Sequence, residues 1–88
     1  MIKINIHSSL ARFTNNQTEL TLPINNTSNI LPVLCEHYEK LRANILDEQG
    51  DLTPYVNIYV NGKNVNQIQN CPITANDKID IVTALVGG

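Results

Sequence analysis

Residues 55–62 (YVNIYVNG) constrain the fold of this chain more than any other stretch. Val56, Ile58 and Val60 alternate with Tyr55, Asn57 and Tyr59, the period of a strand with one apolar face. Asn61 and Gly62 follow at once. That pair is the strongest short-range hairpin signal, because both residues of such a turn need φ > 0. Asn64 and Val65 then read as a short return strand. A sheet that is apolar on one face needs something to cover it.

The rest of the chain supplies more strands and the cover. Ile2, Ile4 and Ile6 alternate with Lys3, Asn5 and His7, a second half-buried strand. Residues 17–22 read as another, stopped by Pro23. Asn15 and Asn16 form the turn between these two, since Asn tolerates φ > 0 better than other non-glycine residues. Between strands two and three the period changes. Ile30, Leu31, Leu34, Tyr38, Leu41 and Ile45 recur at steps of three and four, which predicts one amphipathic helix over residues 29–46. Ser28 or Asn29 supplies its N-cap oxygen, and Pro32 places its start close by. Gln49, Gly50 and Asp51 end it. Ile68 and Ile73 are core plugs in an irregular stretch, and Asn76 and Asp77 make a turn. Residues 78–83 are the last strand, with Ile79 and Ile81 inward. The order β-β-α-β-β-β predicts an α+β fold, a mixed sheet of four or five strands with one main helix on one face. At 88 residues there is room for one domain, expected over residues 1–83, with a flexible tail at 84–88.

Few kinds of chemistry fit this chain. Its net charge is −2, and its six Lys and Arg residues are scattered singly, which argues against nucleic acid as a partner. No apolar run approaches the ~18 residues that would cross a membrane. The start has neither the charged nor the apolar region of a secretory leader, so a cytoplasmic location is expected. Cys35 and Cys71 make neither a disulfide framework nor a metal pair, and read as small hydrophobes at the core edge. His7 and His37 lie far apart, without zinc-ligand spacing. Glu36, Glu39 and Glu48 form a solvated face. No glycine-rich phosphate loop is present. The chain is therefore expected not to be an enzyme, and to hold no metal or cofactor itself.

The last two residues, Gly87 and Gly88, are half of the four glycines in the chain. Two residues without Cβ can pass through a channel too narrow for any side chain. They would deliver the α-carboxylate of Gly88 to another protein's active site. The alternative is a frayed end that does nothing. The tail by itself supports both readings equally.

Several segments together resemble the bacterial sulfur carriers of the MoaD/ThiS type, which share the ubiquitin-like β-grasp fold. Residues 10–14 before the Asn15 and Asn16 turn are similar to that family's first-hairpin segment. Residues 38–47 with Gly50 look like its helix and post-helix stretch. Residues 76–79 resemble the turn before its last strand, and residues 84–88 its tail. Residues 55–62 are the most specific match and resemble the CysO branch, which serves cysteine biosynthesis. Asn stands at positions 15, 16 and 76 where the family often has Gly, and Thr83 where it often has Pro.

The resemblance implies a function. A MoeB/ThiF-like adenylyltransferase would adenylate Gly88 with ATP, and a sulfur donor or sulfurtransferase would convert it to a thiocarboxylate. Leu85, Val86 and Gly87 would thread into the partner. In the CysO branch a pyridoxal-phosphate cysteine synthase uses the thiocarboxylate, and a metal-dependent peptidase then frees cysteine. These cofactors belong to the partners. Molybdopterin, thiamine or a thio-metabolite as acceptor, or a ubiquitin-like modifier forming isopeptide bonds, would use the same tail. Docking also needs a surface. The outward sheet face is expected to carry Tyr59 and Val82, continuing into Leu85 and Val86. Such an apolar patch marks a contact, against the alternative of ordinary scattered surface hydrophobes.

Overall fold

Isoleucine alternation builds the first strand, β1 (Ile2–Ile6), with Ile2, Ile4 and Ile6 buried. The same period gives β2 (Glu19–Leu22), β3 (Val56–Val60) and β5 (Ile79–Thr83); β4 (Lys63–Asn64) is a two-residue return. The structure is a computed structural model and describes residues 1–68 and 70–83. The five strands form one sheet in the order β2-β1-β5-β3-β4. β1 and β5 run parallel, and the other neighbouring pairs are antiparallel. This is the expected mixed sheet.

One face of the sheet is covered by α1 (Ile30–His37) and α2 (Glu39–Ile45). Ile30, Leu34, Leu41 and Ile45 are fully buried against Ile4, Ile79 and Ile81 of the central strands. Each such side chain contributes about 1.5–3 kcal/mol by leaving water. Ile73 is buried and Ile68 packs at the core edge, as expected.

The helical region departs from the expected single helix. Tyr38 has φ −135° and ψ 88°, which ends α1 and starts α2. Its N–H donates to the Leu34 carbonyl and its own carbonyl accepts from Arg42 N–H, so the break costs few backbone hydrogen bonds. The cap also differs. Asn26 accepts from Ser28 N–H and starts a 3₁₀ turn (Thr27–Asn29) that feeds α1, while Asn29 makes no capping bond. Pro32 sits in the first turn of α1, where its missing N–H costs nothing.

Both asparagine turns form. Asn15 and Asn16 have φ of 56° and 62°, and Asn61 and Gly62 have 52° and 83°. The first connection is longer than a tight hairpin, however. A 3₁₀ segment (Ser8–Phe13) follows β1, and the strand expected from residue 17 begins at Glu19. The buried Thr14 hydroxyl reaches the carbonyls of Ala11 and Gln17 and holds this connection together. The return strand lies one residue earlier than expected, because Val65 opens a 3₁₀ turn (Val65–Gln67).

Candidate functional site

Strand pairing settles where the predicted surface residues lie. Tyr59 pairs with Asp80 and with Asn64, Asp80 pairs with Asn5, and Asn5 with Glu19. All five therefore lie in one row across the outward face. Val82 pairs with Asn57 in the next row, so Tyr59 and Val82 are diagonal neighbours on adjacent strands. Both are half-buried. The structure does bring these two together.

Their surroundings are more polar than an apolar patch. Asn5 donates to Asp80 at 3.2 Å, and Asn64 donates to Asn57 at 3.3 Å. Lys3 and Glu19 form an ion pair at 3.6 Å towards the β2 edge. Among the described residues, Tyr59 and Val82 are thus an apolar pair inside a frame of amides and carboxylates. Leu85, Val86, Gly87 and Gly88, the predicted threading and sulfur-bearing residues, lie outside the described residues.

A second feature surrounds the end of β5. Parallel pairing of β1 with β5 carries the chain that follows β1 past the last residue of β5. A cleft of about 200 Å³ results, lined by Leu10, Arg12, Phe13, Tyr55 and Thr83. Tyr55 is 40% exposed, and the Arg12 guanidinium lies 5.8 Å from the centre of the Phe13 ring. Sequence reasoning missed this grouping. Its only signal would have been the parallel pairing, which joins segments more than 70 residues apart in sequence.

Reactive side chains are dispersed. No group of His, Cys, Asp and Glu among the described residues is arranged to hold a metal. His7 and His37 are both exposed. Cys35 is half-buried, and its burial pushes the thiol pKa up, with the nearby Arg42 partly opposing this. A raised pKa lowers the thiolate fraction and hence the nucleophilicity. Cys71 is also half-buried, and its backbone N–H donates to the Thr27 hydroxyl at 3.1 Å. Among the described residues no helix is long and apolar enough to cross a membrane.

Comparison with solved structures shows the ubiquitin-like β-grasp fold. CysO from Amycolatopsis orientalis, solved in complex with BexX, is 19% identical with a TM-score of 0.80, covering 100% of both chains. CysO from Mycobacterium tuberculosis is 22% identical with a TM-score of 0.78, over 97% of this chain and 100% of that one. Urm1 from Sulfolobus solfataricus is 26% identical with a TM-score of 0.69, over 92% of this chain and 97% of that one. Comparison of the sequence with curated proteins finds no significant match. The model of the ThiS family matches residues 8–88, from the segment after β1 through both terminal glycines. Sulfur carriers and ubiquitin-like modifiers share this fold, and the chain belongs to the ThiS family.

Proposed function

We propose that this protein is a cytoplasmic sulfur carrier, with residues 1–83 as the handle and residues 84–88 as the working tail. The observation that carries this reading is the family match, which runs through Gly87 and Gly88. The Gly88 carboxylate attacks the α-phosphorus of ATP on a MoeB/ThiF-like partner, and pyrophosphate leaves. Sulfide from a donor then displaces AMP and leaves a thiocarboxylate. Where a sulfurtransferase persulfide attacks instead, the product is an acyl disulfide, which a second thiol cleaves to release the thiocarboxylate and form a disulfide with the sulfurtransferase. Leu85, Val86 and Gly87 thread into the partner, while Tyr59 and Val82 contact its surface. ATP, pyridoxal phosphate and any metal reside on partner enzymes.

The sulfur is proposed to end in cysteine, through a pyridoxal-phosphate synthase and a metal-dependent peptidase. The resemblance of residues 55–62 to the CysO branch supports this acceptor over molybdopterin, thiamine or a thio-metabolite. A second reading, protein modification through an isopeptide bond, is favoured by likeness to SAMP1 of Methanosarcina acetivorans, a small archaeal modifier protein. ATP–pyrophosphate exchange with the adenylyltransferase tests the step common to both. Exchange that depends on the carrier supports the proposal, and exchange no faster than with enzyme alone refutes it.

A further inference from the structure

We infer that Thr83, Ser9 and His7 form a hydrogen-bonded strap that positions the chain where it leaves β5. Because β1 and β5 are parallel, they leave the sheet side by side. The His7 N–H, one residue past β1, donates to the Ile81 carbonyl at 2.9 Å, so the backbone ladder to β1 stops two residues short of the end of β5. His7 then caps the 3₁₀ segment, its Nδ1 accepting from Ser9 N–H at 3.1 Å.

That contact fixes the polarity of the rest. A backbone N–H can only donate, so Nδ1 carries a lone pair and not a proton. The Ser9 hydroxyl lies 2.8 Å from the same nitrogen and donates to it, so the two Ser9 donors share one lone pair in a three-centre bond. Ser9 Oγ is left as an acceptor, and Thr83 Oγ1 at 3.2 Å donates to it. The chain of donors runs Thr83 to Ser9 to His7. An ordinary cap would end at Ser9. The third link instead reaches across the fold to the last residue of β5.

Thr83 is thereby held from two sides. Its backbone pairs with Val56 of β3, and its side chain is tied to the segment that follows β1. A strand end held on one side only would fray. The strap does here what a rigid residue at position 83 would do by fixing φ. On the carrier reading, on which this part rests, a preset exit lowers the ordering cost of tail capture by the adenylating partner. Ser9 and His7 are positioning residues, since they act through Thr83.

Backbone ¹⁵N relaxation of the full-length protein tests the strap without reference to sulfur. The variants are Thr83→Val, which keeps the β-branched shape without a donor, Ser9→Ala, and Thr83→Ser as the conservative control. Far-ultraviolet circular dichroism checks that each is folded. Thr83→Val and Ser9→Ala should raise fast backbone motion at residue 83 and the residues after it, while Thr83→Ser stays at the wild-type level. Equal relaxation in all four proteins overturns the strap. ATP–pyrophosphate exchange on a MoeB/ThiF-like enzyme tests the positioning role. One lost hydrogen bond should raise KM about fivefold with kcat unchanged, and Thr83→Ser should restore it. Changed relaxation with unchanged KM overturns the positioning role. Absence of exchange with the wild-type chain refutes the carrier reading instead, and leaves the relaxation result to decide the strap.

Discussion

Asp77 shows how one side chain ties two loops together. Its Oδ1 accepts from Asn61 Nδ2 at 2.8 Å, and its Oδ2 accepts from Thr74 N–H at 2.8 Å. Asn61 in turn accepts from Lys78 N–H, so the hairpin turn and the turn before β5 are clamped. Hydrogen bonds to the Thr74 backbone and the Asn61 side chain hold the Asp77 carboxyl below its usual pKa, against a smaller opposing effect of burial. The folded state therefore binds this proton more weakly than the unfolded chain, whose value is about 3.9. The stabilisation is complete above the unfolded pKa and is lost as pH falls through the folded one. The urea midpoint should drop as pH falls below about 4, and Asp77→Asn should flatten that dependence. An equally steep drop in the variant would remove Asp77 as its source. The sequence marks Asn61 as a turn residue through its Gly62 neighbour, but not its clamp, because Asn61 and Asp77 lie 16 residues apart.

At the scale of elements, the helical pair is the sheet's cover. Leu41 is fully buried and lies just past the break at Tyr38. Leu41→Ala should cost about 2–5 kcal/mol in denaturant unfolding, with the wide range set by how far the cavity collapses. A loss under about 1 kcal/mol would mean that α2 is not packed as described. The strands and asparagine turns were readable because their signals are local: a period of two, and Asn where φ is positive. The break at Tyr38 was not readable. Neither Gly nor Pro marks it, and the apolar spacing passes through it without a gap. The 3₁₀ segment Ser8–Phe13 was hidden for a related reason. Its buried residues, Leu10 and Ala11, follow no sustained period.

On the scale of the whole molecule, the parallel pairing of β1 and β5 organises the candidate site. It places the exit of β5 between a polar sheet face bearing Tyr59 and Val82 and a cleft lined by Arg12, Phe13 and Tyr55. Sequence could order the strands along the chain but not in the sheet, since pairing of distant segments leaves no local trace. The terminal glycines, in contrast, stood out in the sequence, because the use proposed for them depends on lacking a side chain. Gly87→Val should obstruct threading and slow adenylation at least about 100-fold, the scale of a small misplacement at a reacting centre. Its unfolding midpoint should stay within error of wild type. An unaffected exchange rate would show that no narrow channel is involved.

As a sulfur carrier, the protein would hold its sulfur at Gly88. Intact mass spectrometry reads this out after incubation with the adenylyltransferase, ATP and a sulfur source. The mass should rise by the replacement of one oxygen by sulfur, localised to Gly88 and absent when that residue is deleted. An unchanged mass for the full-length chain, alongside a control carrier that gains sulfur in the same mixture, would contradict that role.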